Sequence, residues 1–222
     1  YLASFAERVL PDKKEETLEG MHLEFIRPVD TKRENHIGTS AIVLTGVRKE
    51  VGRMLQMTKE NVSLSFDAVL ESSSELLKKV DEKEEYIDFL NKEICKYISK
   101  VIVNETNRKD AKYMSALFKV CGNLERIGDH ATNLCEYTQM MGEKGISFSQ
   151  TEMDEIRQMK EASLSALNIL SDIEKGDKEL VKRIEKAEQQ IDDMTEMFRQ
   201  GQIDRMQQAG RTRRLVFSTP KC

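Results

Sequence analysis

The chain has 222 residues, a formal net charge of −4 and 33% charged residues, with 3 Pro, 6% aromatic residues and no Trp. A β-sandwich or barrel needs frequent turn residues, so this composition favours long helices instead. Both signs of charge are interspersed and no basic patch alternates with aromatic residues, which argues against a nucleic-acid partner. No apolar run approaches the ~18 residues needed to cross a bilayer, so we expect a soluble chain.

Residues 1–47 differ in pattern from the rest of the chain. Residues 1–10 predict a short apolar helix that ends at Pro11 in a cluster of charges, and residues 22–40 are of mixed polarity with Pro28 and Gly38. An apolar helix end that opens directly into charge is typical of a chain leaving a membrane. We therefore predict a post-membrane segment followed by a linker.

Apolar residues at 3.6-residue spacing predict five helices in the remainder of the chain. Their expected bounds are 42–80, 81–104, 107–141, 151–175 and 177–200. The sequence GEKGIS at 142–147 separates the third helix from the fourth, and Ser149 or Thr151 is the expected N-cap of the fourth. The predicted fold is all-α.

The chain also contains an internal repeat. LLKKVDEKEEYID at 76–88 aligns with LVKRIEKAEQQID at 180–192, and five of the 13 positions are identical. We therefore predict two antiparallel three-helix units, 48–146 and 147–222. The second unit is expected to be partial, because the basic stretch after residue 200 contains no counterpart of the third helix.

Two acid pairs border the apolar stripes of the second and third helices. On the third helix, Glu125 and Asp129 lie roughly 80° and 120° from the centre of the stripe, and Glu84 and Asp88 lie at similar angles on the second. Side by side, these helices would bring four carboxylates together. Such a cluster is repulsive until a cation neutralises it, and helical bundles do bind metals through carboxylates.

An ordinary solvated face is the alternative for these acids, with Lys92 and Arg126 available as ion-pair partners. The recurrence of the pair as Glu188 and Asp192 in the second repeat favours the metal site. His130 is expected at the surface, since one residue along the helix turns it ~100° from Asp129. Gly128 on the apolar stripe predicts a close helix approach, or space for something beside Asp129. The four cysteines form no CxxC pair and are expected to be reduced thiols, mostly in the core.

NLERIGDHATNL at 123–134, preceded by EYIDFLNKEI and partly repeated as QQIDDMTEMF, resembles the PhoU family and its E(D)xxxD motif. This resemblance covers about 48–141, and in part 151–200. It implies two three-helix bundles and multinuclear metal clusters of iron or zinc, with magnesium or manganese as further candidates. Carried over residue by residue, the implied metal ligands are Glu84 and Asp88, Glu125 and Asp129, and Glu188 and Asp192.

AERVLPDKKEE at 6–16 and IVLTGVRKEVGRM at 42–54 resemble the junction in bacterial sodium/phosphate cotransporters, where a PhoU-like domain follows the membrane segments. The implied function is a regulatory, metal-binding domain coupled to phosphate uptake at the cytoplasmic face of the membrane. Its implied partners are the transmembrane portion of the same protein and a second copy of the chain. A metal-free helical scaffold is the alternative, and an enzyme is not expected, because no nucleophile–base pair accompanies the acids.

Overall fold

The computed structural model describes residues 20–26, 41–103, 105–171 and 178–217, with no side-chain description for 178 and 209–217. Within these ranges it contains five helices and no strand, which confirms the predicted all-α fold. The helices are α1 (Ala41–Glu71), α2 (Ser74–Ile102), α3 (Arg108–Glu143), α4 (Gln150–Ser171) and α5 (Lys178–Phe217). The apolar helix predicted at 1–10 and most of the predicted linker lie outside the described residues.

The boundary between the first two helices differs from the prediction. We expected the first helix to run to residue 80, but α1 ends at Glu71 and α2 begins at Ser74. Ser72 adopts a left-handed conformation with φ of 50°, and the Ser73 N–H donates to the carbonyl of Ala68 at 3.3 Å, as in a Schellman motif. The Ser73 hydroxyl then accepts a hydrogen bond from the N–H of Leu76 and caps α2.

The end of α3 and the start of α4 follow the predicted signals closely. At the end of α3, Gly145 has φ of 64° and the Ile146 N–H donates to Met141 O at 2.9 Å, so GEKGIS ends the helix as expected. Ser149 is the N-cap of α4. Its N–H and hydroxyl both bond Glu152 Oε2 at 2.8 Å, which completes a capping box.

The chain divides into two compact units, and α1, α2 and α3 each contribute residues to both. The second unit comprises 52–87 and 122 onward. Its apolar core is built by buried residues of four helices: Val62 and Ala68 of α1, Val80 of α2, Ala131 and Cys135 of α3, and Leu167 of α4. Burial of these side chains supplies the main stabilisation of the unit, at roughly 25 cal/mol per Å² of apolar surface.

The first unit contains residues up to Val51 together with 88–121. Its buried apolar residues are Ile26, Val47 and Val51, then Leu90, Ile94 and Ile98 of α2, and Met114, Leu117 and Cys121 of α3. The fully buried Glu50 ties the segment 20–26 to α1, because its Oε2 accepts the backbone N–H groups of Glu24 at 2.9 Å and Phe25 at 2.7 Å. Two charge-assisted hydrogen bonds offset the cost of burying this carboxylate.

α5 is longer than its sequence pattern predicts. We expected it to end near residue 200, yet it continues through Gly201 to Phe217. Arg205, one turn beyond Gly201, donates two hydrogen bonds to the Glu155 carboxylate on α4, at 2.8 and 2.9 Å. A side chain at position 201 would lie 3.3 Å from the Arg205 guanidinium. The glycine therefore leaves room for an ion pair that holds this part of α5 on α4.

Candidate metal-binding carboxylates

The first acid pair lies on α2, one turn apart, on either side of the fully buried Ile87. Both side chains are half-buried, so they border the core as the helical wheel predicts. Asp88 accepts a hydrogen bond from Lys92 Nζ at 2.6 Å, which is the ion pair that the solvated-face interpretation expects. Such an exposed pair contributes at most about 1 kcal/mol to stability.

The second pair lies on α3, where Leu124 and Gly128 are buried. Glu125 is half-buried and engaged in an interaction, while Asp129 is exposed. His130 is exposed as well, as predicted. The acids therefore follow the edge of the buried stripe, and Asp129 is the more accessible of the two.

Gly128 marks a close contact between α2 and α3 within the second unit. A Cβ built at this position would lie 3.5 Å from Ile87 Cγ2, which is ordinary van der Waals contact. The glycine therefore lies against α2, but a methyl group would also fit at this position. Space here is limited on the core side of Asp129, because Ile87 fills it.

The third pair, Glu188 and Asp192, lies on α5, and both residues are exposed. They flank Ile191, which is half-buried, whereas its counterpart Ile87 is fully buried. The second-repeat acids therefore lie on a solvated face of α5.

The described carboxylates do not form a ready-made metal site in this conformation. Within residues 20–26, 41–103, 105–171 and 178–217, no three His, Cys, Asp or Glu side chains are placed to hold one ion. Asp88 belongs to the first unit by the division of the chain, and Glu84, Glu125 and Asp129 belong to the second. Metal binding by the six predicted ligands stays a prediction.

Sequence reasoning missed two features of the folded chain. The buried Glu50 falls between Val47 and Val51 on the core-facing stripe of α1, a position that should have singled it out as a paired acid. Asn61 is also fully buried on α1, and neither its amide oxygen nor its nitrogen has a protein partner. Both would have been found by listing the polar residues at apolar positions of the α1 stripe.

Comparison with known families finds one match, and the matched segment includes the acid pairs of α2 and α3. Residues 51–138, 88 of the 222, match the model of the PhoU domain. This segment is therefore similar to the PhoU domain. It contains Glu84, Asp88, Glu125 and Asp129, whereas Glu188 and Asp192 lie outside it.

Two curated proteins are similar to the chain. The phosphate-specific transport system accessory protein PhoU homolog 1 of Thermotoga maritima is 26% identical over 170 residues, which cover 74% of this chain and 71% of that protein. The phosphate-specific transport system accessory protein PhoU homolog of Clostridium acetobutylicum is 34% identical over 90 residues, 40% of each chain. No solved structure matches the chain. None of the helices in the described ranges combines the length and the apolar character that a membrane span requires.

Proposed function

We propose that this protein regulates phosphate uptake as an accessory component of a phosphate transport system. The observation that carries the proposal is the match of residues 51–138 to the PhoU domain, together with similarity to two proteins named as accessory proteins of phosphate-specific transport. The long helices α1, α2 and α3 present broad, charged surfaces, which suit binding to a partner. We infer regulation by binding, without a catalytic step.

Complementation tests this function directly. The chain is expressed in a bacterium that lacks its own PhoU accessory protein, and the initial rate of labelled phosphate uptake is measured in starved and phosphate-replete cells. We expect the chain to restore at least half of the difference between these two rates. Ile87→Asp places a charge in the core and is the matched unfolded control, since an unpaired buried carboxylate is strongly destabilising. Unchanged uptake at equal expression of the folded chain contradicts the proposal.

We extend the proposal to metal binding by the acid pairs of α2 and α3. Carboxylates are suitable ligands for iron, zinc, magnesium and manganese. Glu84, Glu125 and Asp129 belong to one compact unit, and their side chains would have to rotate toward a shared ion. Asp129 is exposed and able to bind an incoming ion first. The bound ion would supply positive charge that holds α2 and α3 together at this edge.

In a more specific version of this proposal, the chain is the PhoU-like part of a sodium/phosphate cotransporter-like protein. The resemblance of 6–16 and 42–54 to the junction in such transporters supports it. An antibody raised against this chain, applied to fractions of its native cells, distinguishes the two forms. A fused protein stays in the membrane pellet after alkaline carbonate washing. A separate accessory protein is released by that wash, and this result would leave the broader proposal standing while rejecting the narrower one.

A further inference from the structure

Two cysteine thiols meet in the first unit, away from the acid pairs. Cys95 lies on α2 and is half-buried, and Cys121 lies on α3 and is fully buried. Their side chains lie close enough for each thiol to shift the pKa of the other. Neither thiol was expected from the sequence to have a partner, because the two cysteines are 26 positions apart.

A second, independent contact also places the Cys95 side chain against α3. Cys95 Sγ lies 4.0 Å from the carbonyl oxygen of Phe118, one turn before Cys121 on α3. Side chains on a helix lean toward its N-terminus, so the Cys121 thiol lies over the turn that contains Phe118. Cys95 therefore reaches α3 at the place where the Cys121 sulfur is expected.

The two thiols differ in accessibility and acidity. The hydrogen bond from Cys121 lowers the pKa of Cys95, because it stabilises the thiolate. The same contact, with burial, raises the pKa of Cys121 well above its ordinary value. Cys95 Sγ also lies 3.3 Å from Asn91 Oδ1, and rotation of this amide would present an N–H to a thiolate. Cys95 is thus the more reactive thiol, with Cys121 beside it as a second sulfur.

We propose that Cys95 and Cys121 form a redox-sensitive pair, in which a peroxide oxidises the two thiols to a disulfide that joins α2 to α3. The Cys95 thiolate attacks the peroxide, an S–O bond forms, the O–O bond breaks, and hydroxide or an alkoxide leaves with the electron pair. Cys121 loses its proton to solvent and attacks the Cys95 sulfur, so the S–O bond breaks and hydroxide leaves, which takes a proton from solvent to become water. Two electrons pass in total from the thiols to the peroxide.

The disulfide would fasten two helices that are otherwise held by side-chain packing. Because it links two cysteines 26 positions apart, it restricts the unfolded chain and raises the melting temperature of the oxidised protein. This site is independent of the proposed role in phosphate uptake, so either proposal can fail without the other.

Peptide mapping tests the pair, since trypsin releases the three described cysteines on separate peptides, 93–96, 120–126 and 127–144. The full chain is treated with hydrogen peroxide, quenched with an alkylating reagent and digested without reductant. We expect 93–96 joined to 120–126 with the loss of two hydrogens, and reversal by dithiothreitol. The oxidised protein should melt about 5 °C or more above the reduced one.

Three variants distinguish a specific disulfide between Cys95 and Cys121 from nonspecific oxidation of cysteines. In Cys121→Ala, we expect a sulfenic acid at Cys95 that dimedone traps, with no increase in melting temperature. Cys95→Ala should leave Cys121 reduced, because that thiol is buried. Cys135→Ala is the matched control, also at a buried position of α3, and should form the disulfide as the wild type does. Wild type that forms no linkage between these two peptides, or oxidises Cys95 to sulfinic acid without it, overturns the proposal. Circular dichroism confirms that each variant is folded.

Discussion

Segments 76–88 of α2 and 180–192 of α5 have closely similar sequences but different surroundings. Val80 and Ile87 of α2 are fully buried, while the corresponding Ile184 and Ile191 of α5 are half-buried. At the first aligned position the residue of α5 is the more buried one: Leu180 is buried, and Leu76 is only partly buried.

This difference shows which properties the repeated pattern determines. Apolar residues at 3.6-residue spacing produce an amphipathic helix in both places, but burial depends on the neighbouring helices. α2 contributes to cores shared with α1 and α3, whereas α5 packs on α4. The acids follow the same trend. Glu84 and Asp88 border a core, and Glu188 and Asp192 lie in solvent.

The largest expected effect comes from truncating the matched isoleucines. Ile87→Ala should destabilise the protein by about 3 kcal/mol, because it leaves a cavity beside Gly128. Ile191→Ala should cost about 1 kcal/mol, since its side chain is already partly solvated. Urea unfolding followed by circular dichroism measures both. Equal losses for the two variants would mean that α5 is as well packed as α2.

Substitution of Leu180 tests whether burial or position in the repeat determines the loss of stability. We expect Leu180→Ala to destabilise by about 2 kcal/mol, more than Ile191→Ala on the same helix, because Leu180 is 7% exposed. The same urea titration compares the two. A loss at Leu180 no greater than at Ile191 would contradict the packing described for the start of α5.

Replacing Gly128 should change stability less than the core substitutions and should increase it. Gly128→Ala should stabilise the protein by about 0.5–1 kcal/mol, because alanine favours the helix and its methyl group would reach Ile87 at ordinary contact distance. The free energy of unfolding is measured in urea. Gly46→Ala is the contrasting control and should destabilise, since its Cβ would lie 2.8 Å from the Phe25 carbonyl oxygen.

The smallest expected effect concerns pH and the carboxyl group of Asp81 on α2. Partial burial, with the nearby Glu136, raises the pKa of Asp81 above its ordinary value. The folded state therefore holds this proton more tightly than the unfolded state, and stability falls as pH rises through the raised pKa. Asp81→Asn should be more stable than wild type by at most about 0.5 kcal/mol at pH 7, because solvent screens the exposed group.

Thermal melts at pH 3.5 and pH 7 measure this difference. The advantage of the variant should shrink at the lower pH, because Asp81 is then mostly protonated in the folded and in the unfolded state. An advantage of the same size at both values would point to a cause other than the charge. Glu185→Gln, at the corresponding exposed position of α5, is the control.

Most helix bounds could be predicted from the sequence, because periodicity and capping are local properties. The end of α1 was placed wrongly, since Ser72 takes the left-handed position that glycine usually occupies and the stripe continues in register into α2. The end of α5 was also wrong, because a pair between Glu155 and Arg205, 50 positions apart, outweighs the cost of Gly201. The contact of Cys95 with Cys121 likewise depends on how two helices pack, which no local pattern encodes.

The acid pairs of α2 and α3 lie at the edge of a buried stripe, and the pair of α5 does not. We propose that metal binds to the pairs of α2 and α3. The metal content of the chain purified without chelator, measured by mass spectrometry for wild type, Asp129→Ala and Asp192→Ala, tests this most directly. We predict bound iron or zinc in the wild type, loss of most of it in Asp129→Ala, and little change in Asp192→Ala. Wild type without metal, or equal losses in both variants, would contradict the account.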